Sequence, residues 1–177
     1  LTQDYLDEVI RLAKEYQLLI IVDEVQTGLM RTGKLFTFQH FNLNPDIITL
    51  AKSLGGGLPL GGVIVSERLT SVLNYGEHGT TFGGNPLACR VGASLVTALV
   101  NTKFQEDLQD KSSWLFDNLE ALKTKFPTII KDVRGRGMMI GVDVGCYAEK
   151  IQTAAFNKKI LLNITNNSVI RLLPPLI

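Results

Sequence analysis

The stretch from Leu18 to Leu35, LLIIVDEVQTGLMRTGKL, carries two patterns that could do chemistry. Its apolar run ends in Asp23 and Glu24, as does the magnesium-holding strand of a nucleotide hydrolase. The segment from Gly28 to Lys34 then spells G-x-x-x-x-G-K, the core of a phosphate-binding loop. A first hypothesis is therefore a site for magnesium and a nucleotide.

The residues after this motif argue against a nucleotide site. In such loops a Ser or Thr that holds magnesium follows the lysine, and a helix begins there. Here Leu35 takes the hydroxyl position, and the next residues, FTFQHF, lack a helical pattern. The acidic strand also precedes the loop, whereas hydrolases place it later. A second glycine cluster, AKSLGGGLPLGG, fails as well because its lysine precedes the glycines. We interpret both matches as accidental.

Lys52 and Asp23 form a different candidate pair. Lys52 directly follows the apolar run DIITLA, so its amine should emerge at the end of a buried strand, where a lysine loses its proton more readily and can act as a nucleophile. Asp23 ends the preceding apolar run in the same way. An amine that can bond to an aldehyde and a carboxylate that can hold a pyridinium nitrogen are the groups that pyridoxal phosphate requires. The pair therefore suggests a pyridoxal-phosphate site.

Short apolar runs predict the strands that position this pair. We expect strands at 18–22, 47–50 and 62–65, buried on both faces as in a sheet covered by helices. An amphipathic helix precedes them, with Tyr5, Leu6, Val9, Ile10, Leu12, Ala13 and Tyr16 on one face.

The later part of the chain predicts helices and then a smaller α/β unit. Asn85 and Pro86 mark the start of a helix that runs to about Asn101. A long helix over 103–125 follows, with Trp114 in its packing. We then expect a strand at 138–144, a helix at 149–157, and strands around Ile160 and Val169. The sequence patterns at both ends of the chain, at Leu1 and at Ile177, suggest that it is part of a longer protein.

Composition excludes several classes of function. The chain is 45% hydrophobic and carries 18 basic and 17 acidic residues, with no basic block for nucleic acid. Cys89 and Cys146 lack zinc spacing or a disulfide pattern, so we predict no metal site and reduced, buried thiols. No apolar run reaches the roughly 18 residues of a membrane helix, and no signal peptide is visible. We expect no membrane partner and a cytoplasmic location.

Six sequence motifs resemble one family. VDEVQTG, RTGKLF, PDIITLAKSLGGGLP, HGTTFGGNPLAC, VRGRG and RLLPPL occur in this order and closely resemble the class III aminotransferases, which use pyridoxal phosphate. The resemblance spans the chain but only about the second half of a typical member. It implies an aspartate aminotransferase-like α/β fold. Residues 1–126 would form the second part of the cofactor-binding large domain, a mainly parallel sheet with helices on both faces, and residues 127–177 part of a small C-terminal α/β domain.

The resemblance also implies roles for residues of the cofactor site. Lys52 would bond covalently to the cofactor and later shuttle a proton, and Asp23 would keep the ring nitrogen protonated. Gln26 would lie near the phenolic oxygen of the ring, with Val25 beside it. For Glu24 we keep two roles open, a cofactor contact and a polar group that satisfies nearby backbone.

Three further residues follow from the same motifs. Thr81 would reach the cofactor phosphate of the neighbouring subunit, which implies a homodimer with a shared active site, and Thr80 would lie beside the substrate. Arg134 would bind the α-carboxylate of the amino acid or 2-oxo acid, because a guanidinium can donate two parallel hydrogen bonds to one carboxylate. Arg136 is interpreted as a surface or structural residue, and Arg171 as a residue that supports the small domain.

The implied reaction is transfer of the side-chain amino group of N-acetylornithine to 2-oxoglutarate, as in arginine biosynthesis. Ornithine, 4-aminobutyrate and succinylornithine remain alternative amino donors, because enzymes for them share these motifs. The other phosphate-binding loop of the family, its ring-stacking aromatic residue and its arginine for the distal carboxylate would precede Leu1. A catalytically inert fragment, or one chain of a split assembly, therefore remains a second hypothesis.

Overall fold

The computed structural model describes residues 2–177, which form four α-helices and seven strands. The predicted strands at 47–50 and 62–65 are observed with those bounds, and most other elements lie within a few residues of their predicted positions. In chain order the elements are α1 (Gln3–Glu15), β1 (Ile21–Asp23), β2 (Ile47–Leu50), β3 (Gly62–Val65), α2 (Pro86–Leu99), α3 (Thr102–Lys125), β4 (Asp132–Arg136), β5 (Met139–Asp143), α4 (Ala148–Asn157), β6 (Asn163–Thr165) and β7 (Val169–Leu172).

The chain divides into two compact units. The first runs through Met30 and resumes at Lys34–Asn101, and the second comprises Arg31–Gly33 and Thr102–Ile177. Helix α3 belongs to the second unit, where Leu115, Phe116 and Leu119 pack against the core. This division differs from the predicted boundary between residues 126 and 127, and the assignment of the two domains stays a prediction.

The sheet of the first unit has the order β1-β2-β3. Strands β1 and β2 are parallel, whereas β3 runs antiparallel to β2. The expectation that all three strands are buried on both faces is wrong, because Ile21 is 60% exposed and Val63 is 64% exposed. An apolar run indicates that a strand can be buried, but it does not tell whether this chain supplies the covering element.

Two helices, α1 and α2, belong to the first unit. In α1 the predicted apolar face buries Leu6 and Ala13, while Tyr5 and Tyr16 at its ends are exposed. Helix α2 begins as predicted, because the Asn85 side chain accepts hydrogen bonds from two free amides, those of Leu87 and Ala88, at 3.1 Å each.

A small residue in α2 lets this helix approach the turn that carries Lys52. A Cβ at Gly92 would lie only 2.9 Å from the carbonyl oxygen of Leu54, within the turn Lys52–Gly55. Helix α2 therefore supports the backbone of that turn directly.

The second unit is a four-stranded antiparallel sheet in the order β4-β5-β7-β6. Its core contains Val133, Ile140, Val142, Val144, Ala148 and Ile170. Strand β4 was not predicted, and the strand expected around Ile160 lies later, at Asn163–Thr165.

Two predictions about burial are also wrong. Trp114 is 67% exposed, so it is not part of the packing of α3. Cys89 and Cys146 are free thiols, but both are exposed rather than buried.

Candidate functional site

Asp23 and Lys52 meet at one edge of the first sheet. Asp23 is the last residue of β1, and Lys52 follows β2, which runs parallel to β1. The carboxyl ends of parallel strands lie at the same edge, where α/β proteins commonly bind ligands. The positive charge of Lys52 contributes to lowering the pKa of Asp23, as expected for neighbouring side chains. The predicted pair is therefore brought together.

Two hydrogen bonds fix the Asp23 carboxylate. Its Oδ1 accepts the backbone N–H of Val25 at 2.9 Å and the Thr49 hydroxyl at 3.0 Å. The Val25 amide and then the Thr49 hydroxyl, with a contribution from the charge of Lys52, hold the pKa of Asp23 below its usual value. Asp23 is therefore an anion at neutral pH, as a partner of a pyridinium nitrogen must be.

Thr49 is a site residue that the sequence analysis missed. It lies opposite Asp23 in the parallel register of β1 and β2. The available signal was its polarity, since it interrupts the apolar run IITLA.

Lys52 has an unusual backbone conformation. Its φ is +51°, in the left-handed region that residues with a side chain rarely adopt. The turn Lys52–Gly55 ends at Gly56, which is also left-handed, with φ +58°. Strained backbone of this kind is concentrated at functional sites. The Lys52 side chain is exposed, and so it is accessible to a ligand.

Glu24 has the structural role that we kept open for it. Only 2% of the residue is exposed, and its carboxylate accepts the Thr27 hydroxyl at 2.6 Å and the Phe38 backbone N–H at 3.0 Å. These contacts tie the loop after β1 to the end of the strand. A direct cofactor contact by Glu24 stays a prediction, as do the contacts of half-buried Val25 and exposed Gln26.

The segment from Gly28 to Lys34 does not resemble a phosphate-binding loop. Leu29 and Met30 are buried with positive φ, and a short 3-10 helix, Thr37–His40, stands where an α-helix would be needed. The Lys34 amine donates to the Gln39 carbonyl at 2.8 Å. The interpretation of this motif as accidental agrees with these contacts.

Thr80 and Thr81 lie in an exposed loop before α2. The Thr80 hydroxyl accepts the backbone N–H of Gly83 at 3.1 Å. Two aromatic residues of this loop, Tyr75 and Phe82, expose most of their rings. The cofactor role of Thr81 and the substrate role of Thr80 stay predictions.

Arg134 belongs to the second unit, on β4. Its guanidinium donates to the Asp132 carboxylate at 2.8 Å and lies 4.0 Å from the Asp143 carboxylate. The hydrogen bond from Arg134 lowers the pKa of Asp132. Asp132 and Asp143 are opposite each other in the register, so Arg134 also offsets the repulsion of two like charges. A substrate carboxylate would have to compete with Asp132 for this guanidinium.

Residues 2–177 lack two other kinds of feature, a metal-binding cluster and a membrane-spanning helix. Within this range, His, Cys, Asp and Glu side chains form no group of three that could hold a metal ion. In the same range, no helix combines the length and apolar character needed to cross a membrane.

The sequence matches a known family over its whole length. The family model described as aminotransferase class-III matches residues 1–177. The chain is 45% identical over 175 residues to acetylornithine aminotransferase of Clostridium acetobutylicum, an alignment that covers 98% of this chain and 45% of that protein. The chain therefore spans less than half the length of this curated relative.

Solved structures give the same result. The chain resembles the ornithine aminotransferase of Toxoplasma gondii ME49 with a TM-score of 0.88 and 35% identity, over 99% of this chain and 42% of that one. It resembles the N-acetylornithine aminotransferase of Stenotrophomonas maltophilia K279a with a TM-score of 0.86 and 29% identity, over 99% and 46%. The predicted fold class is confirmed by these matches.

Proposed function

The chain belongs to the class-III aminotransferase family, and on this premise we propose that it provides the lysine and the carboxylate of a transamination site. Members of this family depend on pyridoxal 5′-phosphate, which confirms the predicted cofactor at the level of the family. The observation that carries the proposal is the pairing of ionised Asp23 with Lys52 at one edge of the sheet.

The donor set fits this cofactor. Within residues 2–177, the two hydrogen bonds to the Asp23 carboxylate end on Oδ1, which leaves Oδ2 as an acceptor for a protonated ring nitrogen. Lys52 is exposed and adjacent. When bound, pyridoxal phosphate supplies an aldehyde for covalent attachment and a ring that withdraws electrons from the substrate carbon.

The proposed mechanism assigns one task to each residue of this pair. Asp23 stays ionised and holds a proton on the ring nitrogen, because the negative charge raises the basicity of that nitrogen. Lys52 Nζ would be the covalent attachment point for the group and, as a free amine, would accept and return the proton of the substrate carbon as a general base and acid.

Other residues are proposed to complete the site. Gln26 and Val25 would line the ring, and Glu24 would stabilise their loop through its contacts with Thr27 and Phe38. Thr81 would bind the cofactor phosphate of a second copy of the protein, so we propose a homodimer with a shared site, and Thr80 would lie near the substrate. Arg134 would bind the substrate α-carboxylate by exchanging it for Asp132.

The proposed substrates are N-acetylornithine and 2-oxoglutarate, which would yield N-acetylglutamate 5-semialdehyde and glutamate in arginine biosynthesis in the cytoplasm. The identity of the chain to an acetylornithine aminotransferase supports this choice. Ornithine is the first alternative donor, because a solved relative named ornithine aminotransferase is also similar. The amino donors 4-aminobutyrate and succinylornithine are further alternatives.

Covalent trapping tests the proposal directly. The protein is mixed with pyridoxal phosphate, reduced with borohydride and digested, and the modified peptide is identified by mass spectrometry. We expect the label on Lys52 in the wild type and in the control Lys34→Ala. Lys34 is a suitable control because its amine binds the Gln39 carbonyl in the wild type. Labelling that persists elsewhere in Lys52→Ala at the wild-type level would refute the assignment.

Substrate choice is tested by measuring glutamate formed from 2-oxoglutarate with each of the four amino donors in turn. We expect N-acetylornithine to give the highest kcat/KM. A higher value for ornithine would replace the proposed donor and leave the assignment of transamination intact.

A second candidate function is a non-catalytic chain that completes its site only with a partner chain. Its support is the set of exposed apolar side chains on β1 and β3, among them Ile21 and Val63. Specific labelling of Lys52 in the chain alone would contradict this candidate.

A further inference from the structure

Thr49 makes two contacts with the acidic end of β1. Its hydroxyl donates to Asp23 Oδ1 at 3.0 Å, and its carbonyl oxygen accepts the backbone N–H of Glu24, also at 3.0 Å. The second bond continues the parallel pairing of β1 and β2 by one residue. One residue of β2 therefore holds both the side chain of Asp23 and the backbone that follows it.

The hydroxyl contact determines how the Asp23 carboxylate is oriented. Rotation about the Cβ–Cγ bond of Asp23 would break two hydrogen bonds together, the one from the Thr49 hydroxyl and the one from the Val25 amide, because both end on Oδ1. In the described part of the chain, the hydrogen bonds to this carboxylate end on Oδ1, so Oδ2 keeps its acceptor capacity. The charged group that faces the carboxylate from β2 and its turn is Lys52.

We propose that Thr49 is a positioning residue, whose hydroxyl fixes the Asp23 carboxylate so that Oδ2 is presented to the ring nitrogen of the cofactor. The inference rests on the proposed function and adds a residue to that site. An aspartate that is held in place in advance binds better than one that must be ordered when the ligand arrives.

Two substitutions separate the hydroxyl from the rest of the side chain. Thr49→Val keeps the shape and the strand preference but removes the donor, whereas Thr49→Ser keeps the donor. Both retain the carbonyl that binds the Glu24 amide. Thr49→Ala is a second variant without the donor, and far-UV circular dichroism checks that each variant is folded.

The first measurement needs no cofactor. The Asp23 carboxyl is titrated by carbon-detected NMR, with Asp23→Asn used to assign its signal. Because the hydroxyl donates to the ionised form, we expect the pKa of Asp23 to rise in Thr49→Val and Thr49→Ala and to stay at the wild-type value in Thr49→Ser. An unchanged pKa in both variants without the donor would overturn the proposal.

The second measurement is the dissociation constant of pyridoxal phosphate. We expect Thr49→Val to weaken binding by roughly 3- to 10-fold, the range for loss of one hydrogen bond, and Thr49→Ser to bind as the wild type does. In an Asp23→Ala background the Val substitution should have no further effect. Equal affinity of wild type and Thr49→Val would refute the role of Thr49 alone, whereas failure of the wild type to bind pyridoxal phosphate would refute the proposed function.

Discussion

Gly137 is the glycine of the VRGRG motif whose replacement should be most informative. It lies in the turn between β4 and β5 with φ +56°, where the segment Arg31–Gly33 packs against it. A Cβ added there would lie 2.4 Å from the Thr32 carbonyl carbon and 2.5 Å from the Gly33 nitrogen. Both are backbone atoms, so the substitution Gly137→Ala must displace the segment.

The control is Gly145→Ala in the same unit. Gly145 has φ +54°, so alanine there meets the same backbone strain, but its Cβ would have no neighbour within 4 Å. The left-handed conformation costs about 1 kcal/mol or slightly more for a residue with a Cβ. Forcing an atom into occupied space adds about 2 kcal/mol. We expect losses of unfolding free energy of about 1 kcal/mol for Gly145→Ala and about 3 kcal/mol for Gly137→Ala.

The assay is urea unfolding followed by circular dichroism, combined with hydrogen exchange. Exchange is informative because the Met138 amide donates to the Arg31 carbonyl at 3.0 Å, next to the substituted residue. This amide should lose protection in Gly137→Ala and keep it in Gly145→Ala. Equal destabilisation of the two variants, with Met138 still protected in both, would refute the argument that close approach requires glycine.

Three further predictions concern the rest of the chain. Lys52→Gly should be more stable than Lys52→Ala by about 1 kcal/mol in urea unfolding, since glycine relieves the strain of φ +51°; equal stability would contradict the strained backbone. Ile140, which is 1% exposed, should lose about 3 kcal/mol on change to Ala and about 1 kcal/mol on change to Val, and similar losses for both would contradict its place in the core. The pKa of Asp46 is held down by the Ile20 amide and then by Arg68, so its contribution to stability is complete above pH of about 4 and is lost as the pH falls through the lowered pKa. The stability difference between wild type and Asp46→Asn should therefore narrow in acid, and a constant difference from pH 7 to pH 2 would contradict this.

The elements that the sequence predicted well have local signals. Strands β2 and β3 are short, mostly apolar runs between turns, and α2 begins at an Asn-Pro cap that the structure shows making two hydrogen bonds. Strand β4 lacked such a signal, because its sequence, DVRGR, buries only Val133. It exists through five register pairs with β5, and a partner strand cannot be read from the segment itself.

The candidate site likewise contains features that the sequence predicts and features that it does not. The pairing of Asp23 and Lys52 follows from a general rule, since each ends or follows an apolar strand and parallel strands end together. The contribution of Thr49 depends on the register that places it opposite Asp23, and the strand sequences leave that register open. The structural role of Glu24 likewise depends on the return of Phe38 to the end of β1, which no local pattern indicates.

The G-x-x-x-x-G-K motif has an explanation within the chain. A Cβ at Gly28 would lie 2.9 Å from the Glu24 carbonyl oxygen, Gly33 adopts φ +91°, and the Lys34 amine is engaged by the Gln39 carbonyl. The Gly28 and Lys34 contacts belong to the loop after β1, the same loop that the buried Glu24 carboxylate holds through Thr27. The two acidic residues that suggested magnesium therefore have different roles. Glu24 stabilises the loop after β1, and Asp23 is the ionised group that can bind a cationic ligand.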